Sequence, residues 1–117
     1  MVLFRVAVAS AWMVMVPITI HALAAQGVSG LGTFASDFAD PWRAQINSDF
    51  SVHLCLAMAW IFYREPTRLR GLVLAVPVLA GSIYLLPYIF IATLRCNGRF
   101  DTLLVGSQRA QRDLAGC

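Results

Sequence analysis

Lysine is absent from this chain and acids are scarce: nine arginines face six carboxylates in 117 residues, for a net charge of +3. Only 13% of the residues are charged and 59% are hydrophobic, against about a quarter charged and 45–50% apolar in an ordinary soluble domain. Cysteine is limited to Cys55, Cys96 and Cys117, with no CxxC spacing, which excludes a zinc ribbon and a thioredoxin-like motif. His-x-x-x-His and Glu-x-x-His spacings are missing too, as is any complete catalytic motif. There is no internal repeat and no low-complexity tract. The sequence therefore predicts no enzyme, no catalytic residues, no metal site and no cofactor.

What is present is apolar and unevenly spread, in runs near 6–25, 50–63 and 72–94 with most of the charge between them. Crossing the hydrocarbon of a bilayer takes about 20 consecutive apolar residues as helix. The pattern predicts an all-α membrane protein of three transmembrane helices, at about 4–25, 41–64 and 69–95, forming one domain over 1–95. A polar tail, 96–117, follows, and no stretch remains for a separate soluble domain. In the first helix Pro17 is tolerable because neighbouring helices can satisfy the freed carbonyl. The rival reading of this segment is a cleaved signal peptide, with Arg5 as its basic region and Ala22-Leu23-Ala24 as its cleavage pattern. The run is long for that, and retention is expected.

The first loop, 26–47, is glycine-rich and acidic, with Phe34, Phe38 and Trp42 recurring every four residues. That stripe suits a short interfacial helix, aromatic face towards the membrane, or an irregular loop with its aromatics at the headgroups. Asp40-Pro41 is a helix start, an N-cap followed by proline at the first position. Arg64-Glu65-Pro66 stops the second helix. In the third run Pro87 predicts a kink, while Gly81 and Ser82 permit close helix approach. Cys55, inside an apolar run, reads as a small buried hydrophobe.

Nucleic acid is not the expected partner, because the arginines flank apolar runs rather than forming a stripe. The expected partners are the lipid bilayer and other membrane-protein subunits or further copies of the chain. Arg64, Arg68 and Arg70 are read as topology signals and headgroup contacts. With three spans they share a side with the N-terminus, and the compact connector points to the cytoplasm. Loop 26–47 and the C-tail are then expected outside, although Arg95 and Arg99 oppose that orientation. Cys96 and Cys117 would share the outer side, where a disulfide between them is one outcome and free thiols the other.

Asp49, Trp60, Arg64-Glu65, Gly81-Ser82, Leu86-Pro87 and Arg95 occur in an order that resembles a family of small bacterial membrane proteins catalogued as domain of unknown function 2834. The likeness covers roughly residues 42–95. It implies a bacterial inner-membrane protein of about three helices and brings no known activity. The longer glycine-rich loop and the histidines depart from the family pattern.

Candidate chemistry comes from polar residues expected at one depth. Three uninterrupted spans bring His21, Asp49, His53, Tyr88 and Arg95 to a single outer layer, with Asp49 and His53 on one helix face. Such a cluster could hold a haem, pigment, metal or quinone headgroup, or relay a proton. Alternatively, polar residues near helix ends simply meet water and headgroups. Trp12, Trp60, Tyr63 and Tyr84 read as aromatic anchors and packing. The function expected is a non-enzymatic accessory or interaction subunit of a membrane complex. The alternatives are an oligomeric small-solute, ion or proton transporter, and a haem-, pigment- or quinone-binding subunit.

Overall fold

The computed structural model describes residues 1–96 and 99–106, Leu31 by its backbone alone. Every regular element among them is helical. The first apolar run forms α1 (Val2–Gln26), 25 residues long with Pro17 inside it, or about 37 Å at 1.5 Å per residue. Among the described residues α1 is the one helix long and apolar enough to cross a membrane. Only Val8 of its side chains is buried. After a 3-10 turn comes α2 (Gly30–Ser36), then a second 3-10 turn, Asp37–Ala39. Here Phe34 and Phe38 meet edge to face at 5.5 Å.

α3 (Pro41–Arg64) begins where the sequence signals it. Asp40 Oδ1 accepts from the Trp42 and Arg43 N–H groups at 3.1 and 3.0 Å, while Pro41 occupies a position whose N–H would have no helical partner. The helix ends because Pro66 disfavours α geometry in the residue before it. Glu65 is accordingly extended, at φ −74° and ψ 147°.

The third apolar run departs from expectation. It is not one helix over 69–95 but α4 (Arg68–Ala75), a 3-10 stretch at Val76–Ala80 and α5 (Ser82–Arg95). Pro77 cannot donate a helical hydrogen bond, and Gly81 takes φ 75° and ψ −148°, a region essentially reserved for glycine. The chain reverses there. α4 runs back along the second half of α3, and α5 returns to the level where α4 began, so that Arg70 and Arg95 line one crevice. At the turn, Phe50 Cζ lies 3.7 Å from where a Gly81 Cβ would stand. The descending arm is about 22 Å long and the ascending arm about 21 Å. Both fall short of the roughly 30 Å of bilayer hydrocarbon.

α1 lies antiparallel to α5, with Arg5 against Thr93 and Trp12 against Ile83. α6 (Phe100–Val105) folds over the same end, where Phe100 meets Phe4 edge to face at 5.6 Å. Arg99 beside Asp101 holds that carboxyl below the usual aspartate range. One small core joins Ile61, Ala75 and Val78, packed by Leu54, Trp60 and Leu85. A second joins Ala92, Cys96 and Leu103 under Phe4.

The reversal also corrects the placement of the C-terminal segment. The chain after α5 was expected on the side opposite the Arg64–Gly71 connector, but Cys96 and α6 lie against Arg64 itself. The molecule is 53 Å long by about 26 and 25 Å. All the described arginines except Arg43 gather towards one end, and Asp37, Asp40 and Asp49 towards the other. Cys117, and with it the expected Cys96–Cys117 pairing, lies outside the described residues.

Candidate functional site

Helix ends, and helices interrupted by proline, leave carbonyls without backbone donors. Side chains answer that deficit throughout this fold. Pro87 deprives the Ile83 carbonyl, four residues earlier, of its donor, and the Trp12 indole N–H supplies one at 3.0 Å. In the last turn of α5 the Thr93 carbonyl accepts from Arg5 Nη2 at 2.5 Å, and its hydroxyl accepts from Arg5 Nε at 3.2 Å. The Tyr84 hydroxyl donates to the Leu74 carbonyl at 3.0 Å where α4 tightens into the 3-10 stretch. At the end of α6, Leu103 O accepts from Arg64 Nε at 2.8 Å and Leu104 O from Trp60 Nε1 at 3.1 Å.

Arg64 is the centre of this arrangement. Its side chain is 9% exposed and that of Glu65 6%. Besides Leu103, the guanidinium donates through Nη1 to the Tyr88 hydroxyl at 3.0 Å and through Nη2 to Cys96 Sγ at 3.5 Å. The Tyr88 hydroxyl donates in turn to Glu65 Oε1 at 2.7 Å. Glu65 Oε2 accepts from Arg70 Nε at 2.9 Å, and Arg64 Nη1 lies 3.5 Å from Oε1. The Trp60 and Tyr88 rings flank the Arg64 cation at 5.9 and 5.7 Å. A buried carboxylate is tolerable only when paired and hydrogen-bonded, and Glu65 meets both conditions.

Arg64 was expected to face headgroups. It is instead an internal tie between α3, α5 and α6, because those carbonyls and the Tyr88 hydroxyl surround it. Arg70 is half turned inward by Glu65, while Arg68 is exposed. A crevice of about 380 Å³ opens between α4 and α5, walled by Val73, Leu74, Pro87 and Ile91, with Arg70 and Arg95 among its lining. A pocket of about 220 Å³ shares Arg64, Glu65, Arg70 and Arg95 with it.

The polar layer expected of His21, Asp49, His53, Tyr88 and Arg95 does not form. The return of α5 carries Tyr88 and Arg95 to the arginine end, away from Asp49 and His53. Asp49 and His53 do pair, with Nδ1 3.6 Å from Oδ2, but their side chains are 63% and 69% exposed. His53 Nδ1 also bonds the Asp49 carbonyl at 2.8 Å. His21 is exposed on α1 without a hydrogen bond or ion pair among the described residues. Of the five, Tyr88 alone belongs to the buried network. Cys55, expected to be buried, is exposed.

Sequence reasoning did not single out Arg5, Trp12 or Glu65 as parts of a site. One signal was available for Trp12: a proline four residues after Ile83 announces a carbonyl in need of a donor. Another was the solitary Glu65 among three arginines. Among the described residues no group of three or more His, Cys, Asp or Glu side chains could hold a metal ion. Searches against family models, curated proteins and solved structures found no match to this chain.

Proposed function

We propose that this protein is a small integral protein of the bacterial inner membrane that acts as a non-enzymatic interaction subunit of a larger membrane complex. The observation that carries the reading is how little of the apolar surface the fold covers. Val2, Leu3, Met13, Ile20 and Leu23 of α1 each leave more than half their surface open, as do Val52 and Leu56 of α3. Monomeric soluble proteins rarely expose contiguous apolar area on this scale. Lipid and partner helices are the natural cover. Among the described residues the buried polar side chains, Glu65 and Thr93, are engaged in holding helices together.

In this reading the arginine end faces the cytoplasm and residues 27–40 face outward, in keeping with the excess of arginine on cytoplasmic loops. α1 crosses the membrane and α3 crosses beside it, its apolar part, 50–63, extended by polar first turns with Asn47 and Asp49 in the headgroup layer. The α4–α5 hairpin enters from the cytoplasmic side and returns. The likeness to domain of unknown function 2834 is part of the same proposal, with two crossings and a re-entrant hairpin in place of three spans. Retention of α1 is also part of it, because cleavage after Ala24 would remove Arg5 and Trp12 and strip two carbonyls of α5 of their donors.

Affinity purification in mild detergent, with mass-spectrometric identification and native sizing, tests the reading. A stoichiometric membrane-protein partner is the expected result. A homogeneous homo-oligomer with no partner points to the transporter alternative. Purified protein with a Soret or pigment band would turn the reading towards cofactor binding.

A further inference from the structure

We infer that the crevice between α4 and α5 is a binding site for an anionic phospholipid, its phosphate held by Arg70 and Arg95 and an acyl chain lying along Val73, Leu74, Pro87 and Ile91. The inference rests on the membrane reading above and assigns that reading a ligand. Three features of the crevice carry it.

The first is charge. Three guanidiniums, Arg64, Arg70 and Arg95, line the crevice against one carboxylate, Glu65. That carboxylate is already neutralised by Arg64, Arg70 and the Tyr88 hydroxyl. Arg64 is consumed by Leu103, Tyr88 and Cys96. Arg70 commits its Nε to Glu65 and is half exposed, leaving its terminal nitrogens for another acceptor. Arg95 is exposed and makes no ion pair with a described residue. Among the described lining residues three guanidiniums thus face one carboxylate, with Arg95 unpaired and Arg70 sharing Glu65 with Arg64, and an arginine fork suits phosphate oxygens.

The second feature is chemistry along the depth. Away from the charged residues the lining is Val73, Leu74, Pro87, Ile91 and Ala92 with Tyr84 and Tyr88, whose hydroxyls are taken by Leu74 O and Glu65 Oε1. The residues shared with the polar pocket are the charged ones, Arg64, Glu65, Arg70 and Arg95. A charged head and an apolar shaft are the profile of an amphiphile rather than of free phosphate. The third is continuity. Pro87 and Ile91 also line a wholly apolar groove of about 310 Å³, formed with Val8, Ala9 and Trp12 of α1. A second acyl chain can therefore straddle α5.

Basic residues near an anionic membrane surface are each worth about a fivefold gain in affinity. The test uses the full chain, purified in detergent and titrated with phosphatidylglycerol, phosphatidylcholine or inorganic phosphate. Lipid adducts are counted by native mass spectrometry, and thermal midpoints are measured in parallel. Phosphatidylglycerol should bind and raise the midpoint, with phosphatidylcholine and phosphate doing neither at the same concentration. Arg95→Gln should weaken phosphatidylglycerol about fivefold, while Arg68→Gln, outside the crevice, should not separate from the parent protein. Val73→Trp should block the shaft while leaving both arginines in place. Equal binding of the two lipids, equal protection by phosphate, or identical behaviour of the Arg95 and Arg68 variants would overturn the site. Extraction of the unmodified chain from native membranes by alkaline carbonate is run alongside. Release into the wash removes the membrane reading and this site with it; retention without lipid preference removes the site alone.

Discussion

At the residue scale, Arg64 ties the end of α3 to α5 and α6, its Nε, Nη1 and Nη2 donating to Leu103, Tyr88 and Cys96. Removing one member of a buried, hydrogen-bonded ion pair costs roughly 3–5 kcal/mol, since the partner is left uncompensated. Glu65 keeps Arg70 and Tyr88 after Arg64 is lost, so Arg64→Met belongs at the lower end, about 3 kcal/mol. The measurement is a thermal or denaturant midpoint in detergent, and a variant within 0.5 kcal/mol of the parent, roughly the scatter of surface changes, would show that the network is incidental. Arg64→Lys should rescue little, because an ammonium cannot reach Leu103, Tyr88 and Cys96 from one planar fork. Gly106 gives an independent reading of the same joint. Its φ is 88°, and a Cβ there would run into the Arg64 carbonyl oxygen. Gly106→Ala should therefore loosen α6 at a cost of about 1–3 kcal/mol, seen as faster proteolysis after α5 while α1 to α5 keep their protection.

At the element scale, the pairing of α1 with α5 rests on a carbonyl that proline exposes. The Trp12–Ile83 hydrogen bond lies on an exposed face; with lipid over that face, as proposed, Trp12→Phe should cost about 1–3 kcal/mol, the usual penalty for an acceptor left unsatisfied away from water. Pro87→Ala restores an N–H to the helix at the position where Ile83 O needs it. The two changes together should then cost clearly less than their sum, a coupling a double-mutant cycle reads directly. Additive costs would mean that the ring's packing, not its N–H, matters. This is also where the sequence stops being legible. The ends of α3 could be read because their signals are local: Asp40-Pro41 at the start and Glu65-Pro66 at the stop. The reversal within the third run could not, since hydropathy counts apolar residues and is blind to the direction in which they travel. Pro77 and Gly81 were visible, but each is also compatible with a bent continuous helix. The candidate site inherited that error. Tyr88 was singled out and belongs to the buried network, but its partners are Arg64 and Glu65 because α5 runs opposite to the direction a third span would take.

At the scale of the whole molecule, the reversal changes the arithmetic of crossing. Three spans would put the two ends of the chain on opposite sides and divide the arginines between them, with Arg95 and Arg99 against Arg5, Arg64, Arg68 and Arg70. Two crossings and a hairpin collect all six at one end and leave, among the described arginines, Arg43 at the other, already paired with Asp37 at 2.7 Å. The conflict among orientation signals vanishes, as expected if arginine distribution sets topology. In the proposed topology the hairpin stops about two-thirds of the way through the hydrocarbon and must also bury the backbone at its tip. Gly81 is buried beside Phe50, with its N–H on Val78 O and its carbonyl accepting from Tyr84 and Leu85. Cysteine accessibility in intact cells tests the arrangement. The background replaces Cys55 and Cys117 with alanine and Cys96 with serine, whose hydroxyl can still accept from Arg64. Single cysteines then replace Ala39, Arg68 and Arg99, all exposed. An impermeant maleimide added from outside should label Ala39→Cys and spare Arg68→Cys and Arg99→Cys until the membrane is opened. Labelling of Arg99→Cys together with Ala39→Cys would mean that the third run crosses after all. Labelling of Arg68→Cys and Arg99→Cys without Ala39→Cys would keep the hairpin and invert the protein in its membrane.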